Sequence, residues 1–152
     1  LRAALSWNFV LATAICASLL AQLIKVLLNL FIFHRFIAER MWGAGGMPSS
    51  HSATVCAMVV ATGRYCGVNS PIFAIAAVLS IIVMYDAMGV RYETGEQAKV
   101  LNRMFTEWMD QGFEQFQLPH GKKLKEMVGH TPIEVVTGAA LGIVLGFAMP
   151  MV

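Results

Sequence analysis

Charged side chains are scarce in this sequence, in which Asp, Glu, Lys and Arg make up only 13% of 152 residues. Soluble domains carry about 25%, so water is a poor solvent for most of this protein's surface. The formal net charge is only +2, and no run of Lys and Arg resembles a surface that follows a nucleic-acid backbone. The composition therefore excludes a nucleic-acid partner and, with 57% hydrophobic residues, indicates a membrane protein.

Cysteine is also scarce, and the sequence shows no internal repeat or low-complexity segment. The three cysteines are an odd number, which argues against a closed disulfide framework. They lie in or beside apolar segments, where small hydrophobic side chains pack well. The first residue is Leu1 rather than Met, and a cleaved targeting peptide and a missing upstream segment both fit.

Four apolar segments are long enough, or nearly so, to cross a bilayer as helices. A bilayer core requires about 20 helical residues, and the second segment needs tilt or a thinned bilayer. The sequence therefore predicts an all-α fold, a polytopic membrane helix bundle that forms one domain over residues 1–152. The predicted spans cover residues 7–33, 51–65, 72–90 and 131–152.

The polar segment 91–130, between the third and fourth spans, is predicted to contain a further helix. Apolar residues recur in it at helical spacing, which predicts an amphipathic helix at the membrane surface. These residues are Val100, Leu101, Met104, Phe105 and Trp108. In the fourth span, Gly138, Gly142 and Gly146 form a stripe that allows another helix to approach closely.

The order of the spans brings the polar groups to one end of the bundle, which we call the site face. The first span ends there, the second begins there, the third returns to it and the fourth starts from it. Lys and Arg are in excess beside it, so the positive-inside rule places it in the cytoplasm, or in the stroma or matrix of an organelle. The polar residues predicted to meet there are Lys25, Arg35, residues 48–51, Asp86, Arg91 and His130.

Two histidine-containing strings open predicted helices at the site face. The first is GGMPSSHSA, from Gly45 to Ala53. A helix N-terminus offers unpaired N–H groups and the positive end of a dipole, which favour an anion. Ser49 and Ser50 either add hydroxyl donors or serve as N-caps. His51 is costly at the edge of a hydrocarbon phase unless it has a function.

The second string is GHTPIE, from Gly129 to Glu134. Thr131 and Pro132 suit the N-cap and the first helical position. Glu134 has the spacing of a capping box. It also lies one helical turn after His130, where it can orient the imidazole as a nucleophile. The two roles are compatible.

The string DAMGVR, from Asp86 to Arg91, ends the third span. A carboxylate at such a position usually has a cationic partner, here Arg91 or Lys25. Arg91 could instead be an ordinary flanking cation, and Lys25 could extend to the interface. Asp86 and nearby glutamates could hold a hard cation, but no loop supplies a dedicated cage. We therefore predict no metal site.

Together these strings resemble the divergent branch of the type-2 phosphatidic acid phosphatase superfamily. Members of this branch are described as acid phosphatase/vanadium-dependent haloperoxidase-related proteins. The resemblance extends from about Ala21 onward. It rests on residues 47–53, 86–91 and 129–134, with Gly95, Gln97 and Asn102.

The resemblance implies a membrane phosphatase that cleaves a lipid phosphate monoester or diphosphate without a cofactor. His130 would be the nucleophile, Glu134 would orient it and His51 would be the general acid. The candidate phosphate-binding residues are Ser49, Ser50, Arg91, Lys25 and Arg35.

The sequence also departs from the superfamily pattern. No Arg follows Lys25 at the expected spacing, Glu134 replaces an Asp, and Leu124 stands where an Arg is expected. A catalytically inactive member that serves as a structural subunit of a larger membrane complex is therefore the alternative. A small transporter or channel component is a third hypothesis, disfavoured because the polar groups gather at one face instead of lining a path.

Overall fold

The computed structural model describes residues 8–33, 46–111, 123–126 and 128–151. Within these ranges the protein is all-α, as predicted, and contains no strand. The described helices are α1 Phe9–Phe33, α2 Ser50–Cys66, α3 Pro71–Met88, α4 Val90–Asp110 and α5 Pro132–Ala148.

Two described helical stretches, Phe9–Phe31 and Pro71–Asp110, are long and apolar enough to cross a membrane. Helix α5 is apolar but shorter, and the crossing by α2 rests on the sequence argument alone. The total of four spans therefore stays a prediction.

Polar side chains and prolines explain where three of the helices begin. Ser49 caps α2, and its hydroxyl accepts the N–H of Ser52. Ser70 caps α3 in the same way, with Pro71 as its first residue. Thr131 and Glu134 form a capping box at the start of α5. Each cap satisfies N–H groups that have no partner within the helix. The residues at these positions therefore determine where the helices begin.

Helix α2 lies at the centre of the bundle and packs against α1, α3 and α5. The core between α1 and α2 consists of alanines, against which Leu141 and Leu145 of α5 pack. These alanines are Ala17, Ala21, Ala53 and Ala57. Small side chains allow the helix backbones to approach closely, which is how helices pack in a bilayer.

The glycine stripe of α5 packs directly on the backbone of α2. A Cβ atom added at Gly142 would lie only 2.3 Å from the carbonyl oxygen of Ala53. No side chain fits there unless the two helices separate. The stripe therefore serves packing within the bundle, as the sequence predicted.

Gly142→Val is expected to destabilise the bundle by about 1–3 kcal/mol or more, the usual cost of overpacking. Its thermal unfolding midpoint in detergent should fall well below that of Ala140→Val. Ala140 is on the same helix but exposed, so that variant adds comparable bulk without a clash. Equal midpoints for the two variants would contradict this packing.

The end of the bundle opposite the site face is held by Arg64, near the end of α2. Its Nη1 donates to the carbonyl oxygens of Gly146, Phe147 and Met149 at 2.6, 3.0 and 2.7 Å. Its guanidinium also lies 5.6 Å from the ring centroid of Phe9, where α1 begins. The start of α1 and the ends of α2 and α5 therefore share one end of the bundle, as the order of the spans predicted.

Helix α4 follows α3 after a break at Gly89 and covers the first part of the polar segment 91–130. Leu101 and Val100 on its outer side are exposed, whereas Asn102 is buried against the segment that leads to His130. The Asn102 amide donates to the carbonyl oxygen of Leu124 at 2.9 Å and accepts the Leu124 N–H at 2.8 Å. The helix is observed, and its position at a membrane surface stays a prediction.

Candidate active site

His130 is held by the backbone on both sides. Gly129, which precedes it, has a φ of +89°, a conformation that suits glycine. A Cβ atom there would lie 2.4 Å from the nitrogen of Tyr92, so this loop rests directly on the start of α4. The N–H of His130 donates to the carbonyl oxygen of Ala87 in α3 at 3.0 Å. The backbone of His130 is thereby tied to the junction between α3 and α4.

The carboxylate of Glu134 joins both histidine-containing strings. One oxygen, Oε2, lies 3.2 Å from Nδ1 of His130 and accepts the N–H of Thr131 at 3.0 Å. The other, Oε1, accepts the N–H of Gly46 at 3.1 Å. Glu134 therefore caps α5 and also contacts His130, the two contacts that its spacing suggested. Its contact with Gly46 was not predicted.

The bond to Glu134 indicates which nitrogen of His130 carries the proton. An ionised carboxylate only accepts hydrogen bonds, so Nδ1 must carry the proton. In the neutral ring, Nε2 then has a free lone pair. His130 is 2% exposed, and among the described residues its Nε2 has no hydrogen-bond partner. A buried nitrogen without a partner costs about 1–3 kcal/mol, and such a group calls for an explanation, either a bound water or a function.

His51 and His130 are neighbours across the interface between α2 and the start of α5. Their ring centroids are 5.8 Å apart with an interplanar angle of 60°. Both rings line a cavity of about 20 Å³ at the site face, together with Val83, Asp86, Ala87 and Arg91. This volume holds roughly one water molecule.

The two serines predicted to bind phosphate lie beside this cavity but do not line it. Ser49 is fully buried, and its hydroxyl accepts from the N–H and the hydroxyl of Ser52 at 3.3 and 3.1 Å. Its own N–H donates to the carbonyl oxygen of Glu134 at 2.9 Å. The hydroxyl of Ser50 accepts from the Gln22 amide at 3.4 Å. In this arrangement both hydroxyls are engaged within the protein.

The two described candidate cations occupy different places: Arg91 lines the cavity, and Lys25 lies near Gly46. Arg91 lines the cavity, and its Nε donates to Oδ2 of Asp86 at 2.5 Å. Lys25 is 2% exposed and packs its aliphatic carbons near Gly46. Arg35 lies outside the described residues.

Sequence reasoning missed three features of the site. Val83 contributes to the cavity wall, and its position one turn before Ala87 could have indicated this. The Ala87 carbonyl and the Gly46 N–H are backbone groups whose roles depend on contacts between distant segments. Only the glycines around Gly46 hinted that the backbone approaches another group there.

Two comparisons identify the family. The family model described as "Divergent PAP2 family" matches residues 6–145. The chain belongs to this family. The resemblance to the divergent branch of the phosphatidic acid phosphatase superfamily is therefore confirmed.

A relative from Bacillus subtilis (strain 168) is similar to the chain along nearly its whole length. It is 38% identical over 144 residues, which cover 91% of each chain, and is described as the uncharacterized membrane protein YuiD. No solved structure matches. Family membership, this membrane relative and the apolar helices together support association with a membrane.

Proposed function

We propose that this protein is a membrane-embedded phosphatase that hydrolyses a lipid phosphate monoester or diphosphate through a histidine nucleophile. One observation carries the proposal. A buried imidazole, His130, has its Nδ1 held by Glu134 and its Nε2 without a partner, and it lines the same cavity as His51 and Arg91. These are a nucleophile, an orienting carboxylate, a general acid and a cation.

Each residue has a defined role in the proposed reaction. Nε2 of His130 attacks phosphorus, and the bond from phosphorus to the lipid oxygen breaks. His51 donates a proton to that leaving oxygen, so the lipid departs as an alcohol or a phosphate. Water then cleaves the phosphohistidine, with His51 accepting the proton of the attacking water. Arg91 neutralises charge on the phosphoryl oxygens.

A substrate with an apolar tail and a phosphate head suits this location. The site lies at the end of a bundle whose outer residues, such as Leu19 and Ile81, are exposed and apolar. A lipid tail can stay in the bilayer while its head reaches the histidines. The roles assigned to the protein residues require no metal or organic cofactor.

The alternative function is that of an inactive structural subunit in a larger membrane complex. Two observations favour it. The cavity has room for about one water molecule, and the hydroxyl of Ser49 is engaged in capping α2. An active enzyme must enlarge this cavity when substrate binds, whereas a structural subunit has no such requirement.

Phosphate release by the purified full chain in detergent micelles tests the proposal. The substrates are a phosphatidate, a lysophosphatidate, a polyprenyl monophosphate and a polyprenyl diphosphate. Turnover of at least one of them, inhibited by vanadate as a mimic of the transition state, is expected. A folded protein that releases no phosphate from any of them would instead support the structural subunit.

We also propose that the site face lies in the cytoplasm, or in the stroma or matrix of an organelle. The Lys and Arg residues nearest to it outnumber those at the opposite end, where Arg64 is engaged with backbone carbonyls. A membrane-impermeant thiol reagent added outside sealed cells should not label Lys123→Cys in a variant without native cysteines. It should label Cys66 at the opposite end, when that cysteine alone is retained. The reverse pattern would overturn the orientation.

A further inference from the structure

Among the described residues that line the cavity, Asp86 is the only acidic one, and the proposed reaction gives it no role. Its carboxylate accepts the Nε–H of Arg91 at 2.5 Å, and the two side chains are 39% and 51% exposed. A carboxylate beside a phosphate position repels the phosphate. Its presence there therefore requires an explanation.

The geometry indicates which part of the site can move. The backbone at Arg91 is packed on Gly129, and the His130 N–H is bonded to Ala87. The nearby backbone is thus fixed relative to the nucleophile. The Arg91 side chain, by contrast, is half-exposed and held by an ion pair, and such exposed pairs contribute only about 0–1 kcal/mol.

Phosphate is also too large for the cavity in this arrangement. A volume of about 20 Å³ holds roughly one water molecule, and a phosphate has five heavy atoms. Entry therefore requires one of the lining side chains to withdraw. Among the described lining residues His51 and Arg91 are exposed, and of the two Arg91 is the cation that can bind an incoming phosphate once its bond to Asp86 is broken.

We infer that Asp86 is a positioning residue for Arg91. When no phosphate is bound, Arg91 pairs with Asp86; when phosphate binds, Arg91 leaves Asp86 and pairs with the phosphate, and it returns to Asp86 on release. We call this change of partner the exchange. This inference deepens the proposed function and rests on it. The exchange breaks no covalent bond. One charge-assisted hydrogen bond, from Arg91 to Asp86, is replaced by one from Arg91 to a phosphoryl oxygen.

The exchange predicts the direction in which phosphate affinity changes when Asp86 loses its charge. Asp86 competes with phosphate for Arg91 and repels it, so removal of the carboxylate charge should tighten phosphate binding. A residue that merely maintained the shape of the site would have the opposite effect, since its loss would loosen the site and weaken binding. Affinity therefore separates the two roles.

The test measures binding of inorganic phosphate to the full chain in detergent micelles by calorimetry. Asp86→Asn is expected to bind phosphate about fivefold more tightly or better, since releasing an exposed pair contributes up to about 1 kcal/mol, or about fivefold, and lost repulsion adds to this. Asp86→Glu should remain near wild type. Glu107→Gln is the matched control, because it removes a carboxylate from another exposed Arg–Glu pair on α4.

Arg91→Gln should weaken phosphate binding, and Asp86→Asn should bring no gain when combined with it. A gain that persists without Arg91 would contradict the exchange. If Asp86→Asn does not fold, Asp86→Ala carries the same prediction, with folding checked by thermal unfolding.

The outcomes distinguish this inference from the proposed function. If wild type binds phosphate and releases it from a lipid, but Asp86→Asn binds equally or more weakly, the exchange is refuted and the phosphatase stands. If neither wild type nor Asp86→Asn binds phosphate, the exchange is refuted, and the turnover assay alone decides the proposed function.

Discussion

Alanine in place of His130 is expected to reduce phosphate release to the background rate, a loss of roughly 10⁴-fold or more, as when other enzymes lose their nucleophile. No other described side chain in the cavity can replace it as the nucleophile. His51 is the only other imidazole lining the cavity, and it has its own role as the acid. The backbone bond from residue 130 to Ala87 does not depend on the side chain, so the variant should fold.

The measurement combines turnover with trapping of a covalent intermediate. A lipid phosphate labelled on phosphorus should leave acid-labile, base-stable label on wild type and none on His130→Ala. Glu107→Gln is the control, since it changes an exposed side chain of α4 that does not line the cavity. Free imidazole, which fits the space left by the deleted ring, should restore part of the turnover. Full activity in His130→Ala with no trapped label in wild type would refute the mechanism.

Alanine in place of His51 is expected to slow turnover by about 10²–10⁴-fold, the usual contribution of a general acid. The attack by His130 remains possible, but the leaving oxygen must then depart without a proton. The covalent intermediate should still form from an activated substrate, because the bond that orients His130 joins its Nδ1 to Glu134 and not to His51.

The dependence on the leaving group identifies the role of His51. An aryl phosphate with an acidic phenol needs little protonation, so the loss in His51→Ala should shrink severalfold or more for this substrate. His51→Gln should behave like His51→Ala in rate while it keeps a polar side chain in the same place. An equal loss for both leaving groups would assign His51 to phosphate binding instead of proton transfer.

The sequence predicted well those features that depend on short-range rules. The apolar segments and the caps at Ser49 and Thr131 located the helices to within a few residues. The four-residue spacing between His130 and Glu134 predicted their contact. His130 precedes the N-cap Thr131, and the contact forms because the Glu134 carboxylate reaches back over the start of the helix. The order of the spans predicted the meeting of the two histidines at one end, since consecutive crossings must alternate in direction.

The features that the sequence could not supply depend on the packing of distant segments. Ser49 was predicted to bind phosphate, and the sequence did not indicate that its N–H bonds the carbonyl of Glu134, 85 positions later in the chain. Lys25 and Arg91 looked equally suited to pair with Asp86. The choice between them depends on how α1 is rotated in the bundle, which hydropathy does not determine.

The hydrogen bonds of Asn102 bear on how long the segment between α4 and His130 can be. Its amide bonds both backbone groups of Leu124, as a neighbouring strand would, and Gly129 then rests on Tyr92. The approach to His130 is thus anchored on α4 itself. We therefore expect that residues inserted between Gln111 and Lys123, such as a reporter domain, will leave His130 in place.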